Sequence, residues 1–178
     1  MKSLDQLWPG HVIHTLVEEH KIILDYLDKL KEACECLNKK SQFADAADCI
    51  EKIKNVADHL IGAEPHHQRE EQVLFPEMES QGVVGPPTVM RHEHESMREA
   101  KHRLKKLTEE INTDNFEESR NQIQTTGAFL VSMLGDHIYK ENNILYPMAL
   151  EVIQDEAMWE TMKQSCDSIG YCCFTPQS

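Results

Sequence analysis

Apolar residues recur along this chain with a helical period. After Pro9-Gly10, the positions Ile13, Leu16, Val17, His20, Leu24, Leu27, Leu30, Cys34 and Leu37 form one stripe spaced near 3.6 residues, which predicts a first helix to about Lys40. His20 falls inside that stripe and so faces the interior. A second helix is predicted from Ser41-Gln42-Phe43 through Ile50, Ile53, Val56 and Leu60, kinked or loosened at Pro65 and ending past Leu74-Phe75-Pro76. Residues 81–87, rich in Gly and Pro, read as a loop. The third helix opens at Pro86-Pro87 and turns Met90, His94, Met97, Leu104, Leu107 and Ile111 inward, with Lys101 interrupting the stripe. Asn112-Thr113-Asp114 supplies a turn and an N-cap for the fourth, whose stripe is Ile123, Gly127, Leu130, Leu134, His137, Glu141 and Leu145. A short helix around Asp155 to Asp167 and an irregular tail (168–178) follow, the tail's Ile169, Tyr171 and Phe174 being apolar enough to pack back. The expected fold is all-α: an up-down-up-down antiparallel four-helix bundle with a short C-terminal helix and tail. One domain is expected over 1–178, with its core at 10–150 and an extension at 151–178.

Candidate chemistry enters through a phrase used twice. His66, Glu70, Leu74, Phe75 and Pro76 are matched by His137, Glu141, Leu145, Tyr146 and Pro147 at an offset of 71 residues. Upstream of each lies a shorter match, Glu19-His20 and Glu93-His94, offset by 74. A histidine and a glutamate four apart stack on one helix face. Each half of the chain therefore offers one histidine from its first helix and a His-x-x-x-Glu from its second.

Periodicity places His137 and Glu141 inward directly. Pro65 disturbs the phase in the first half, so His67 and Glu71 compete there with His66 and Glu70. The internal match to His137 favours His66 and Glu70 and leaves His67 and Glu71 as supporting or surface residues. His94 is preferred to His92 because it follows Met90 by one turn and aligns with His20. His11, His14, His59 and His102 read as non-ligands. The candidate metal ligands are thus His20, His66, Glu70, His94, His137 and Glu141.

A lone buried histidine is more often a satisfied core residue than a ligand, and His-x-x-x-Glu recurs on helices by chance. Two buried glutamates among four histidines are expensive without a cation, however, and six such residues repeated in order are hard to explain as packing. Four-helix bundles build dinuclear sites from inward carboxylates and histidines. Two metals would each take one histidine from each helix of a half, bridged by Glu70 and Glu141. Imidazole with carboxylate suits iron, manganese or zinc over magnesium or calcium, and leaves open positions for a small ligand.

Charge and composition narrow the partners. The net charge of −13 disfavours nucleic acid and an anionic membrane surface. No apolar run approaches the roughly 18 residues of a membrane span. Residues 1–10 carry no signal-peptide pattern, so a reducing cytoplasm is the expected location and the six cysteines are expected as thiols. Cys34, Cys36 and Cys49 read as small buried hydrophobes, while the vicinal Cys172-Cys173 offers a redox-active alternative.

The phrases Glu19-His20, His66 through Pro76, Glu93-His94 and His137 through Pro147, in this order from about Gly10 to Leu150, resemble the hemerythrin-like (HHE cation-binding) domains. Residues 85–90 and the tail Ile169-Gly170-Tyr171-Cys172 resemble a bacterial and archaeal subgroup often found beside PAS sensor domains. The resemblance implies a four-helix bundle holding two iron ions in a non-haem di-iron centre with carboxylate and oxo or hydroxo bridges, Mn or Zn being the lesser alternatives. The oxygen carriers of that family place a further histidine where this chain has Met90. They also end on an aspartate five residues after the last histidine, where Glu141 stands at four. This set is nearer the family's sensing, iron-regulated and nitrosative-stress members, with water, Glu93 or Tyr26 as candidates to complete the coordination. The expected function is binding or sensing of O2 or NO, or a response to redox or iron status, with a protein partner or a second copy receiving the signal. The alternatives are a di-iron enzyme (oxidase, peroxidase, or NO-handling and repair activity), its pocket near Met90, Met97 and Met133, and iron storage or a structural Zn or Mn site.

Overall fold

Gly10, at a φ of 91° that favours glycine, turns the chain into α1 (Val12–Asn38) in the computed structural model, which describes residues 4–176. The last two residues of the expected tail, and Met1 to Ser3 of the expected domain, lie outside the described residues. Along α1 one buried stripe runs through Ile13, Leu16, His20, Ile23, Leu27, Leu30, Cys34 and Leu37. Leu24, expected inward, is 39% exposed and Ile23 takes its place. The stripe steps alternately by three and four residues, and after His20 the step is three.

The second leg is not one kinked helix. α2 (Ala47–Ile61) stops at a turn, and α3 (Glu64–Arg69) starts afresh with Pro65 in its first turn, where a missing N–H is harmless. One π-helical turn, Glu70–Leu74, then leads into α4 (Phe75–Ser80), and the Phe75 N–H donates to the Glu70 carbonyl. After α5 (Gly85–Glu110), the fourth leg repeats this device. α6 (Phe116–Lys140) passes through a π turn, Glu141–Leu145, into α7 (Tyr146–Val152), and the Tyr146 N–H donates to the Glu141 carbonyl. Pro76 and Pro147 lack an N–H and their rings crowd the carbonyl four residues back. The wider turn before each relieves that crowding and brings the residue five positions after each glutamate back toward the glutamate's face. Apolar periodicity gives no sign of these turns.

α8 (Glu156–Ile169) starts at Asp155, whose carboxylate accepts the Ala157 N–H at 2.9 Å, and ends at Gly170 with φ 95°. The four legs, α1, α2–α4, α5 and α6–α7, make the antiparallel up-down-up-down bundle, with α8 and the tail appended. Among the described residues no helix is long and apolar enough to cross a membrane.

Two compact units divide these legs. The first takes the chain up to Ile22, Gly62–His94 and everything from His137 onward; the second is Ile23–Ile61 with Glu95–Asp136. In the first, Ile13, Leu16, Leu74, Phe75, Met78, Met90, Leu145, Tyr146, Trp159 and Met162 share one apolar cluster. In the second, a Cβ on Gly127 would come within 2.7 Å of the Cys34 sulfur, which accounts for a glycine in that inward stripe.

The second unit also corrects the cysteine reading. Cys36 of α1 and Cys49 of α2 form a disulfide, with Cα atoms 5.9 Å apart; Cys34, Cys166, Cys172 and Cys173 are thiols. The α1–α2 connection folds these two positions side by side, a proximity that a 13-residue separation does not disclose. Closing a loop of this length restricts the unfolded chain, so Cys36→Ser should lower stability by about 3 kcal/mol. Chemical denaturation of the variant, and of wild type with and without reductant, measures this. Equal midpoints would show that the bridge contributes nothing.

Candidate metal centre

All six candidate residues lie in the first unit, and the structure brings them together. The Nε2 atoms of His20 and His66 are 3.1 Å apart, and those of His94 and His137 are 3.0 Å apart. Glu141 reaches both pairs: its Oε2 is 3.1 Å from His20 Nε2 and its Oε1 is 2.9 Å from His137 Nε2. Glu70 Oε2 lies 3.6 Å from His66 Nε2 and 3.5 Å from His94 Nε2. All six side chains are buried. Two overlapping groups, His20-His66-Glu141 and His94-His137-Glu141, are close enough to hold a metal ion each.

The outward nitrogens of the rings are each committed. His66 Nδ1 donates to Glu19 at 2.7 Å, His94 Nδ1 to Glu71 at 2.7 Å, His137 Nδ1 to Glu93 at 2.7 Å, and His20 Nδ1 to the Asn142 side-chain oxygen at 2.8 Å. A ring that donates through Nδ1 presents a lone pair at Nε2. Four such lone pairs therefore converge with Glu70 Oε2 and both oxygens of Glu141, three buried atoms to which no hydrogen bond is made. The short nitrogen–oxygen approaches are contacts between acceptors, and acceptors crowded out of water call for a cation. The donor set of imidazole nitrogens and carboxylate oxygens fits iron, manganese or zinc.

Electrostatics set the two carboxylates of the site apart. Burial, followed by the charge of Glu141, pushes the Glu70 carboxyl well above the ordinary carboxylate range. Burial acts on Glu141 too, but the histidines around it, His137 first, outweigh burial and hold it well below that range. Burial pulls His66 down to about 4 despite its bond to Glu19, which keeps the ring neutral at pH 7.

The supporting residues are also duplicated. Arg69 Nη2 donates to both oxygens of Glu19 at 2.6 Å, and Lys140, 71 residues on, pairs with Glu93. Thr175 of the tail donates to Glu19, and the Arg69 guanidinium lies 4.7 Å over the Tyr171 ring. The π turns add an aromatic to each half. Phe75 stacks on His94 with centroids 5.9 Å apart, and Tyr146 stacks on His20 at 5.6 Å and donates its hydroxyl to Glu70 Oε1 at 2.7 Å.

Several sequence-level expectations change here. Glu93 supports His137, and Tyr26 stacks on His59 in the second unit, so neither stands as an additional ligand. The tyrosine at the centre is Tyr146, which the repeat itself marks as the partner of Phe75. Met90 is buried in the apolar cluster. His67 is no surface residue: it is buried and stacked on His94 at 4.0 Å. His11 accepts the Ile13 N–H and packs on Trp159, while His92 and His102 are exposed.

An all-helical bundle whose inward face gathers two histidine pairs around shared buried carboxylates defines a cation-binding helical protein. The chain matches the hemerythrin HHE cation binding domain over residues 11–149 and belongs to that family. Among curated proteins it is similar to the iron-sulfur cluster repair protein YtfE of Dickeya chrysanthemi, 28% identical over 148 residues, covering 79% of this chain and 63% of that one. The protein of the same name from Musicola paradisiaca is 27% identical over 121 residues, 60% of this chain and 54% of that one. The iron-sulfur cluster repair protein DnrN of Neisseria gonorrhoeae is 34% identical over 104 residues, 56% of this chain and 64% of that one. The match spans less than two thirds of the length of each.

Proposed function

We propose that this chain is a non-haem di-iron protein in which His20, His66, Glu70, His94, His137 and Glu141 hold two iron ions, and that it binds or responds to a diatomic ligand, O2 or NO. The observation that carries this reading is the convergence of four imidazole lone pairs on Glu70 and Glu141, each ring held by its own outward acceptor. When bound, the irons would supply reversible one-electron chemistry and open positions for a diatomic ligand. The protein's own residues do the rest. Glu19, Glu71, Glu93 and Asn142 fix the tautomer and orientation of each ring. Arg69 and Thr175 hold Glu19, and the Tyr146 hydroxyl keeps a proton against Glu70 Oε1.

Protein purified without oxygen should contain two irons per chain and develop new charge-transfer bands on adding O2 or NO. Zinc alone, or iron without any spectral change, overturns the reading. The names of the relatives favour a second function on the same centre, a part in iron–sulfur cluster repair. Iron-loaded protein incubated with an oxidatively damaged iron–sulfur enzyme should then restore that enzyme's activity faster than the same amount of free iron; an equal rate removes this second function.

A further inference from the structure

The duplication is faithful in the six central residues, and a cation recurs in the pairs Glu19–Arg69 and Glu93–Lys140; among the side chains that hydrogen-bond the central six, two are exceptions to it. Position 71 is a glutamate and its counterpart 142 is an asparagine; position 75 is a phenylalanine and its counterpart 146 is a tyrosine. The second exception acts on Glu70, whose remaining oxygen faces both histidine pairs at 3.6 and 3.5 Å, so it does not discriminate between them. The first exception does. Glu71 and Asn142 occupy the same place, each accepting the Nδ1–H of the histidine on the first helix of a half, at 2.7 and 2.8 Å. One accepts with a carboxylate, the other with a neutral amide oxygen.

A carboxylate on the far nitrogen makes an imidazole a stronger donor to a metal, and losing such a partner typically weakens metal affinity about 10- to 100-fold. Glu19 and Glu93 do not offset the difference, because each supports one histidine and each carries a cationic partner, Arg69 or Lys140. We infer that the two metal positions are unequal by construction: the position at His94 and His137 holds its cation tightly, and Asn142 makes the position at His20 and His66 the weaker and more exchangeable one. The inequality gives a single centre one retained ion and one that can leave or be replaced. This rests on the metal reading above, and its test separates the two.

Metal-free full-length protein is titrated with Co2+ under nitrogen in competition with a chromophoric chelator. Wild type should take up two ions in steps separated by about 10- to 100-fold in affinity. Asn142→Asp, nearly isosteric, should tighten the weaker step until the two merge; Glu71→Gln, also isosteric, should loosen the tighter step to the same effect. His20→Ala should remove the weak step and His94→Ala the tight one. Two steps of equal affinity in wild type, or an Asn142→Asp variant whose weaker step has not moved, overturn this inference while leaving the metal site standing. Absence of any Co2+ uptake overturns both.

Discussion

Glu141→Ala should take the protein from two bound metal ions to one or none. Its two carboxylate oxygens sit on different histidine pairs, 3.1 Å from His20 and 2.9 Å from His137, so it is common to both groups able to hold a cation. Among the described residues no other carboxylate has that reach from both oxygens, since the Tyr146 hydroxyl occupies one oxygen of Glu70. The histidines around Glu141 hold its carboxyl well below the ordinary range, so the ionised carboxylate is favoured in the folded state and its removal brings no gain. Glu141→Ala should therefore melt no higher than wild type in chelator, and in excess metal it should lack the stabilisation that metal confers, about 2.7 kcal/mol at a hundredfold excess over Kd. Metal analysis with thermal unfolding in chelator and in excess metal measures both effects. Two retained ions in the variant would refute the bridging role.

Arg69→Met should destabilise the fold itself, by about 3–5 kcal/mol, because it strands Glu19 as a buried charge without its partner. Arg69 and Glu19 are both almost wholly inaccessible, and the bond is two-pronged at 2.6 Å. Burial raises the Glu19 carboxyl, but its bond to His66 and the charges of His66 and Arg69 outweigh burial and hold it at about 2. A carboxylate pulled below its ordinary value of 4.5 stabilises the native state above that pH, and the contribution is lost as pH falls from 4.5 toward 2. Arg69→Met should flatten that part of the acid-unfolding profile. Urea unfolding at pH 7 and at intervals down to pH 3 tests both statements; a loss below 1 kcal/mol at pH 7 would show that Glu19 is otherwise compensated.

Much of this architecture was legible because helices write their burial into the chain at a fixed period. The stripe through His137 and Glu141 follows α6 into its π turn, and the internal repeat carried that register to His66 and Glu70 where Pro65 obscured it. Elsewhere local pattern ran out. Leu24 and Ile23 are equally apolar, and only the three-dimensional packing chooses between them. His67 lies one residue off the expected face, but the chain restarts at α3 and turns it onto His94. The Cys36–Cys49 bridge depends on how α1 returns into α2. Asn142 was invisible as a supporting residue because its role is defined only by the ring it meets, His20, more than 100 residues away.

The paired π turns carry a consequence for how this chain tolerates change. Each contains one residue more than an α-helix of the same rise would need, so each acts as a single-residue insertion that shifts the frame of every inward position after it. Deleting Gln72 or Asn143 would close the turn to α geometry and swing Phe75 or Tyr146 off the histidine it covers. Many substitutions at those two positions leave that frame intact. The centre is thus constrained in length as strictly as in composition: a lost codon at either turn displaces an aromatic wall that most point changes there would spare.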